Sequence, residues 1–462
     1  MNIFLLFLFL NLYYCKKVII PFNTIKNNNS NNILSLLQNQ IYTKLEIGTP
    51  KQTIYLGIST ELSLFEIDSY LINDNFYSIK KSKSYKATDI PAYEEYKRIK
   101  EKLILNETFY FQDSLSNDNL KTYNNLMFNY ITELSSGFTD KDYGYIDDDN
   151  LNLISGVIGL QVTRKYSLNE NIILIKSLKN IEAIDKLLWS IIYKNDHEGY
   201  LIFGEYPHEY NKSYYNENNL KKTNCIFDTQ TSEFYWDFIF TDITVGEKKI
   251  NSERSATYAP QSGVIIGPDE YKNLISDFFQ NFTKNDKCSL NEIEYKKSTY
   301  LYYECNKDID INNFEPIVFV HHEFEQKFIL DKNDLFADFG NKKIFLIFFK
   351  KENNKKWMLG GPFTKKYFFT FDHDSKMIFY YNKLDNGADG NNKIWILYII
   401  ISFLGVLSIF LGIYIGKQVF SKKKKKRANE LDDNDEENEY KESINDNNRE
   451  DIPNSDYNKI EN

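Results

Sequence analysis

Histidine and cysteine are scarce in this chain, five and four among 462 residues. No Cys/His set stands at metal-ligand spacing, and His208, His321 and His322 have neither helical nor paired-cysteine context, which argues against a metal site or cofactor. A basic surplus is missing too: 56 Lys+Arg face 65 Asp+Glu, for a formal charge of −9. Residues 428–462 hold 13 acidic and 3 basic side chains, so the rest of the chain is close to neutral. The one lysine run, residues 422–427, adjoins an apolar stretch, so there is no nucleic-acid footprint. Glycine, with 19 residues, makes up about 4 %, below the usual ~7 %. Aromatic residues are plentiful, 35 Tyr and 35 Phe, enough to build a core along most of the length. The surplus of Asn, Lys, Ile and Tyr fits AT-rich coding, so Asn-rich stretches carry no functional reading by themselves.

Charge is also absent from two segments near the ends. Residues 3–14 are apolar, of signal-peptide length and too short to span a bilayer; they lack a basic n-region, and residues 1–15 read as a signal peptide. Residues 394–415 form an uncharged run of 22, roughly 33 Å as a helix, against a hydrocarbon core of ~30 Å. Trp395 and Tyr414 lie near its ends, and Lys417 and the run 422–427 follow, which places that end in the cytosol. The expectation is a single-pass type I membrane protein: linker 386–393, transmembrane helix 394–416, and a disordered acidic tail 417–462 facing the cytosol. Tyr457-Asn-Lys-Ile460 fits a Tyr-x-x-apolar signal for cytosolic sorting partners, and Ser408 with Gly412 is a weak hint of helix pairing.

Cysteines and sequons agree with a secretory route. Cys288 and Cys305 are near enough to close a short loop, and such a bond persists in an oxidising lumen; Cys225 is left over. Asn28, Asn106, Asn211 and Asn281 each begin an Asn-x-Ser/Thr glycosylation sequon ahead of the span.

Between 41 and 382 the apolar runs are short, β-branched and aromatic, and bounded by Asn, Asp and Gly. Ile54-Tyr-Leu-Gly-Ile58, Tyr200-Leu-Ile-Phe203, Phe238-Ile-Phe240, Ile317-Val-Phe-Val320, Ile344-Phe-Leu-Ile-Phe-Phe349 and Phe368-Phe-Thr-Phe371 predict strands. Apolar 3–4 spacing predicts helices over 182–193 and 269–279. The body reads as all-β with short helices.

A series of motifs then carries a resemblance. Tyr42-Thr-Lys-Leu-Glu-Ile-Gly-Thr-Pro-Lys-Gln52 resembles the strand and turn that open the mature domain of pepsin-family aspartic proteases. Ser155-Gly-Val-Ile-Gly-Leu160, Gly199-Tyr-Leu-Ile-Phe-Gly204, Phe234-Tyr-Trp236, Ile243-Thr-Val-Gly246, Trp357-Met-Leu-Gly-Gly361 and residues 368–372 match later family segments in order. The resemblance spans 41–382 and implies a bilobal pepsin-like fold, with a first lobe over 41–195 and a second over 196–385. It also implies a Cys288–Cys305 disulfide in the second lobe, and it makes residues 16–40 a short propeptide-like segment, with Val18-Ile-Ile-Pro21 resembling the start of one.

The catalytic loops depart from the family. Where the family places Asp-Thr-Gly-Ser, this chain gives Ser59-Thr60-Glu61; where the second loop should read Asp-Thr-Gly-Thr-Ser, it gives Ala259-Pro260-Gln261-Ser262. Gly267-Pro268 fixes that register. The family mechanism needs two carboxylates that share a proton and hold a water, one as base and one as acid. A hydroxyl at Ser59 and a methyl at Ala259 offer neither. Of the paired threonines that cross-brace the family's loops, Thr60 survives and can brace from one side only; Ser262 is the other remnant. Asp113-Ser-Leu115 looks like the strand that follows the flap by some dozen residues, which makes Tyr96 the flap candidate in a glycine-free, charged stretch. Asp228 in Phe227-Asp-Thr-Gln-Thr-Ser232 imitates a catalytic loop, but it precedes the Tyr-Trp strand that the true loop follows.

The leading expectation is therefore a catalytically inactive aspartic-protease-like ectodomain that binds a peptide or protein in the old cleft by strand addition. An active membrane-bound aspartic endopeptidase and a structural or adhesive surface glycoprotein are the alternatives.

Overall fold

A computed structural model describes residues 16–24, 33–37, 41–68, 77–88, 99–115, 119–134, 154–162, 170–211, 215–228, 233–351 and 356–381. The expected signal peptide, linker, membrane span and tail, and also Asn28 and Tyr96, lie outside the described residues. Among those residues no helix is long and apolar enough to cross a membrane.

The first ten strands are β1 (Val18–Thr24), β2 (Ile41–Ile47), β3 (Gln52–Ser59), β4 (Phe65–Asp68), β5 (Lys86–Ala87), β6 (Ile99–Phe111), β7 (Lys121–Leu134), β8 (Ile154–Gly159), β9 (Leu188–Tyr193) and β10 (Glu198–Phe203). Sixteen follow: β11 (Leu220–Asn224), β12 (Ile226–Asp228), β13 (Glu233–Tyr235), β14 (Asp237–Val245), β15 (Lys248–Tyr258), β16 (Ile265–Pro268), β17 (Cys288–Tyr295), β18 (Ser298–Asn306), β19 (Ile317–His321), β20 (Gln326–Leu330), β21 (Phe336–Phe339), β22 (Lys342–Phe345), β23 (Ile347–Lys350), β24 (Trp357–Leu359), β25 (Phe369–Asp372) and β26 (Met377–Tyr381).

They form a 13-stranded sheet ordered β11-β26-β25-β9-β10-β1-β2-β3-β8-β4-β7-β6-β5, an 11-stranded sheet built on β14 to β24, and a separate β12–β13 ribbon. The two large sheets repeat one motif. In the first, β3 runs parallel to β8, β8 antiparallel to β4, and β4 parallel to β7. In the second, β15 runs parallel to β24, β24 antiparallel to β16, and β16 parallel to β23. This repeat is the two-lobed plan. The lobes meet at the chain's last strands, since β25 pairs with β9 and the Trp189 and Phe371 rings stack at 4.1 Å.

Strand β1 lies inside the large sheet between β10 and β2, with Val18, Ile19 and Ile20 fully buried and Phe22 nearly so. The propeptide-like segment thus supplies an interior strand. Farther along it, Leu36 accepts a hydrogen bond from Gly263 N at 3.0 Å, and Ile33, Leu36 and Leu37 pack with Val264, Tyr302 and Phe348 of the second lobe.

Three local expectations are corrected. The helix expected over 182–193 is absent: Glu182 lies in a turn at φ 54, residues 188–193 are strand β9, and the nearby helix is Leu174–Asn180. Leu-Trp-Ser-Ile-Ile-Tyr of β9 is buried at nearly every position, and a run buried on both faces has no period to separate strand from helix. Asp113-Ser-Leu115 is no strand but the turn after β6, where Asp and Ser suit a chain reversal. The run 344–349 breaks at Leu346, whose N–H donates to Leu335 O while its carbonyl accepts from Ile265 N, so β22 and β23 are separate. The helix expected over 269–279 is present as a turn followed by Lys272–Lys284.

Candidate functional site

The repeat places Ser59 and Ala259 at equivalent positions. Ile58 pairs with Ile158 and Ser59 with Gly159; Tyr258 pairs with Leu359, and Ala259 N donates to Leu359 O at 3.1 Å. Beyond each, the chain turns across the partner strand so closely that only glycine fits there. A Cβ on Gly159 would stand 2.5 Å from Leu64 O, and one on Gly360 2.0 Å from Val264 O. Both residues are buried, Ser59 being 8 % and Ala259 0 % exposed.

The loops are tied to each other. Thr60 Oγ1 donates to Tyr258 O at 2.6 Å, across 198 residues of chain. Gln261 adds a second tie, its Oε1 lying 3.1 Å from Thr60 Oγ1 and 3.5 Å from Thr60 N. Position 260 makes no reciprocal hydroxyl bond, because Pro260 has neither hydroxyl nor N–H. The Ser262 hydroxyl stays local, donating to Val264 O at 2.7 Å. Trp236 Nε1 donates to Leu160 O at 2.7 Å and joins the lobes nearby.

Between Ser59 and Ser63 the sole carboxylate is Glu61, exposed, with its N–H donating to Ser59 Oγ at 3.2 Å; residues 259–263 contain none. Asp228 sits elsewhere, on the β12–β13 ribbon opposite Glu233. Beside Thr60 and Glu61 opens a pocket of about 230 Å³ whose second-lobe wall includes Tyr235, Thr257, Tyr300, Lys350, Lys356 and Met358. Lys356 is held there by Asp237 at 2.5 Å and lies 4.9 Å from the Tyr235 ring. Burial, and after it the Glu61 charge, raises the Tyr295 hydroxyl to about 12. A larger pocket of about 690 Å³ touches the second loop at Pro260, Ser262 and Gly263; both lysines in its walls are paired there, Lys366 with Asp334 at 2.6 Å and Lys365 with Asp196 at 3.8 Å.

Sequence reasoning brings Ser59, Thr60, Ala259 and Ser262 to one place, but it missed the pocket residues. Tyr300 and Lys350 stand on strands, and Lys356 just before one, and no local signal marks them; Tyr235 reads in the sequence only as part of a strand. The Cys288–Cys305 disulfide is formed, at an S–S distance of 2.08 Å. Cys225 is a buried thiol without a disulfide, its pKa raised to about 11 chiefly by burial. Of the described sequons, Asn281 is exposed, whereas Asn106 and Asn211 are half-buried. Among the described residues no group of three or more His, Cys, Asp or Glu could hold a metal.

The family model described as eukaryotic aspartyl protease matches residues 40–380. The chain belongs to that family. No curated protein matches it. The matched residues take in both loops, the pocket beside Thr60 and both large sheets apart from β1 and the last residue of β26.

Proposed function

We propose that this family member does not cleave peptides and instead holds an extended peptide in the cleft, as the outer part of a single-pass membrane protein. The observation that carries the reading is the equivalence of Ser59 and Ala259, each at the end of the first strand in its own copy of the repeated motif. A family catalyst needs two acids there. A serine hydroxyl stays protonated and an alanine methyl moves no proton, so no pair can share a proton over a water. Glu61 is one carboxylate without a partner in the opposite loop, and exposure leaves it solvated. The loops are nonetheless kept together by Thr60 and Gln261. A tied pair of loops beside an aromatic-walled pocket suits binding without chemistry: main-chain hydrogen bonds to an added strand, with one side chain placed against Tyr235 and Tyr300.

The buried position of β1 supports a propeptide-like segment that is retained, since its removal would uncover the core on which Val18, Ile20 and Phe22 pack and leave β10 paired only with β9. The signal peptide, the span over 394–416, glycosylation and any sorting partners of the tail rest on the sequence alone.

The test is a randomised peptide library incubated with the full-length chain from pH 3 to 7, followed by recovery of retained peptides. Retention that falls at least several-fold in Tyr235→Ala or Tyr300→Ala is expected. Retention unchanged in both variants would move binding to the outer surface, and an adhesive role would replace the cleft reading.

A further inference from the structure

A second surface, apart from both loops, is marked by charge. Residues 77–88 contain Lys80, Lys81, Lys83 and Lys86 and no acidic residue. The turn Ile79–Lys81 and the following residues carry these lysines outward, Lys80, Lys81, Lys83 and Lys86 all being exposed, with Tyr85 at 39 %. None of the four forms an ion pair with a described residue. Elsewhere lysines take partners, for example Lys248 with Asp277, Lys249 with Asp242, Lys342 with Glu304 and Lys351 with Glu292.

Two described carboxylates beside the loop are already committed. Glu107 is 1 % exposed and turned inward, accepting from Tyr77 OH, from Ser82 Oγ at 2.6 Å and from Thr108 N at 2.7 Å. Glu46 is taken by Lys51 at 2.6 Å. The same bonds hold the loop's shape. Ser82 is anchored on Glu107, Lys83 N donates to Thr49 O at 2.7 Å, and Lys86–Ala87 pair with β6. The backbone is fixed while the ammonium groups stay free in water, so binding an anion there orders few main-chain atoms.

We propose that this loop is a docking surface for a linear sulfated polyanion, of the glycosaminoglycan type. From Lys81 to Lys86 the chain reaches at most about 17 Å, the length of a strip rather than of a broad face. Lysine is a compact point charge that suits isolated sulfate esters, whereas paired carboxylates favour the arginine fork. Tyr85 adds an exposed ring on which a sugar face can lie. An anionic bilayer fits less well, because no further large apolar side chain is exposed between 77 and 88 to enter it. Binding should be largely counterion release and fall steeply with salt.

The experiment compares elution of the full-length chain from immobilised heparin by a salt gradient. One variant carries Lys→Gln at 80, 81, 83 and 86; a charge-matched variant carries Lys→Gln at 248, 249, 342 and 351. The first should lose at least about tenfold in affinity and lower the log–log salt slope by roughly 3, at ~0.7–0.9 per contact. Its thermal melt should stay unchanged, since the replaced groups are exposed and unpaired. The matched variant should elute like the parent. Equal losses in both variants would reduce the effect to net charge and overturn the proposal. So would tighter, loop-dependent binding to phosphatidylserine vesicles or poly-aspartate than to heparin.

Discussion

The two loops at the centre of this fold occupy equivalent places and have kept different things. The first, from Ser59 to Ser63, retains a threonine whose hydroxyl crosses to the other lobe, and it carries the one carboxylate, Glu61. The second, from Ala259 to Gly263, has Pro260 where the first has Thr60, and its one hydroxyl, on Ser262, bonds locally to Val264 O. Both still make the close turn over a glycine, Gly159 in one lobe and Gly360 in the other. Backbone close-approach is thus kept symmetrically, while the hydroxyl-to-carbonyl brace runs one way, with the Gln261 side chain meeting Thr60 from the other loop. On the proposed reading, packing demands outlast chemical ones, because a core cannot tolerate a misplaced turn whereas a cleft that only binds can do without an acid.

The comparison can be broken most forcefully at the glycines. Gly360→Ala should cost about 3 kcal/mol or more, because its Cβ meets backbone that cannot step aside, and Gly159→Ala somewhat less. Urea melts measure both; a negligible cost at either position would end the claim of equivalent turns.

Acid provides the next test, and it separates the loops from their surroundings. His321 and His373 are buried, and burial above all pushes them down, to about 4 and about 3. Both are therefore neutral in the folded protein, while the unfolded chain takes up protons below ~6.5. Stability should be full above that pH and fall as pH drops from 6.5 towards 4, by about 1.4 kcal/mol per pH unit for each histidine. Thermal melts of His373→Phe should show a shallower fall; an unchanged slope would remove His373 from the account.

The one-way brace predicts a smaller asymmetry. Thr60→Val strands Tyr258 O and should cost about 1–2 kcal/mol, against about 0.5–1 for Ser262→Ala, whose bond is local. Equal costs would deny that the first loop does the tying. The smallest effect is electrostatic. Glu61→Gln should lower the Tyr295 pKa from about 12, as followed by ultraviolet titration, because the Glu61 charge, its second cause after burial, is removed.

Much of this was legible in the sequence. Strands such as Ile317–His321 follow from β-branched runs, and Gly267-Pro268 was enough to set Ala259 in register. Strand β9 was misread because a run buried on both faces looks the same in either periodicity. The pocket was invisible for another reason: Tyr300, Lys350 and Lys356 meet Thr60 only through pairings of β18, β23 and β24 that no local pattern encodes. The partner that Gln261 makes of Thr60 was likewise beyond reach, since its position had been read only as a lost glycine.

The central claim is that two tied loops without an acid pair bind but do not cut. The full-length chain should be incubated with peptide substrates from pH 3 to 7, with and without a transition-state-mimic inhibitor of aspartic proteases, and turnover read by mass spectrometry. The account predicts no cleavage at any pH, in the parent chain and in Glu61→Gln alike. Cleavage that the inhibitor blocks would contradict it, and its loss in Glu61→Gln or Asp228→Ala would name the carboxylate responsible.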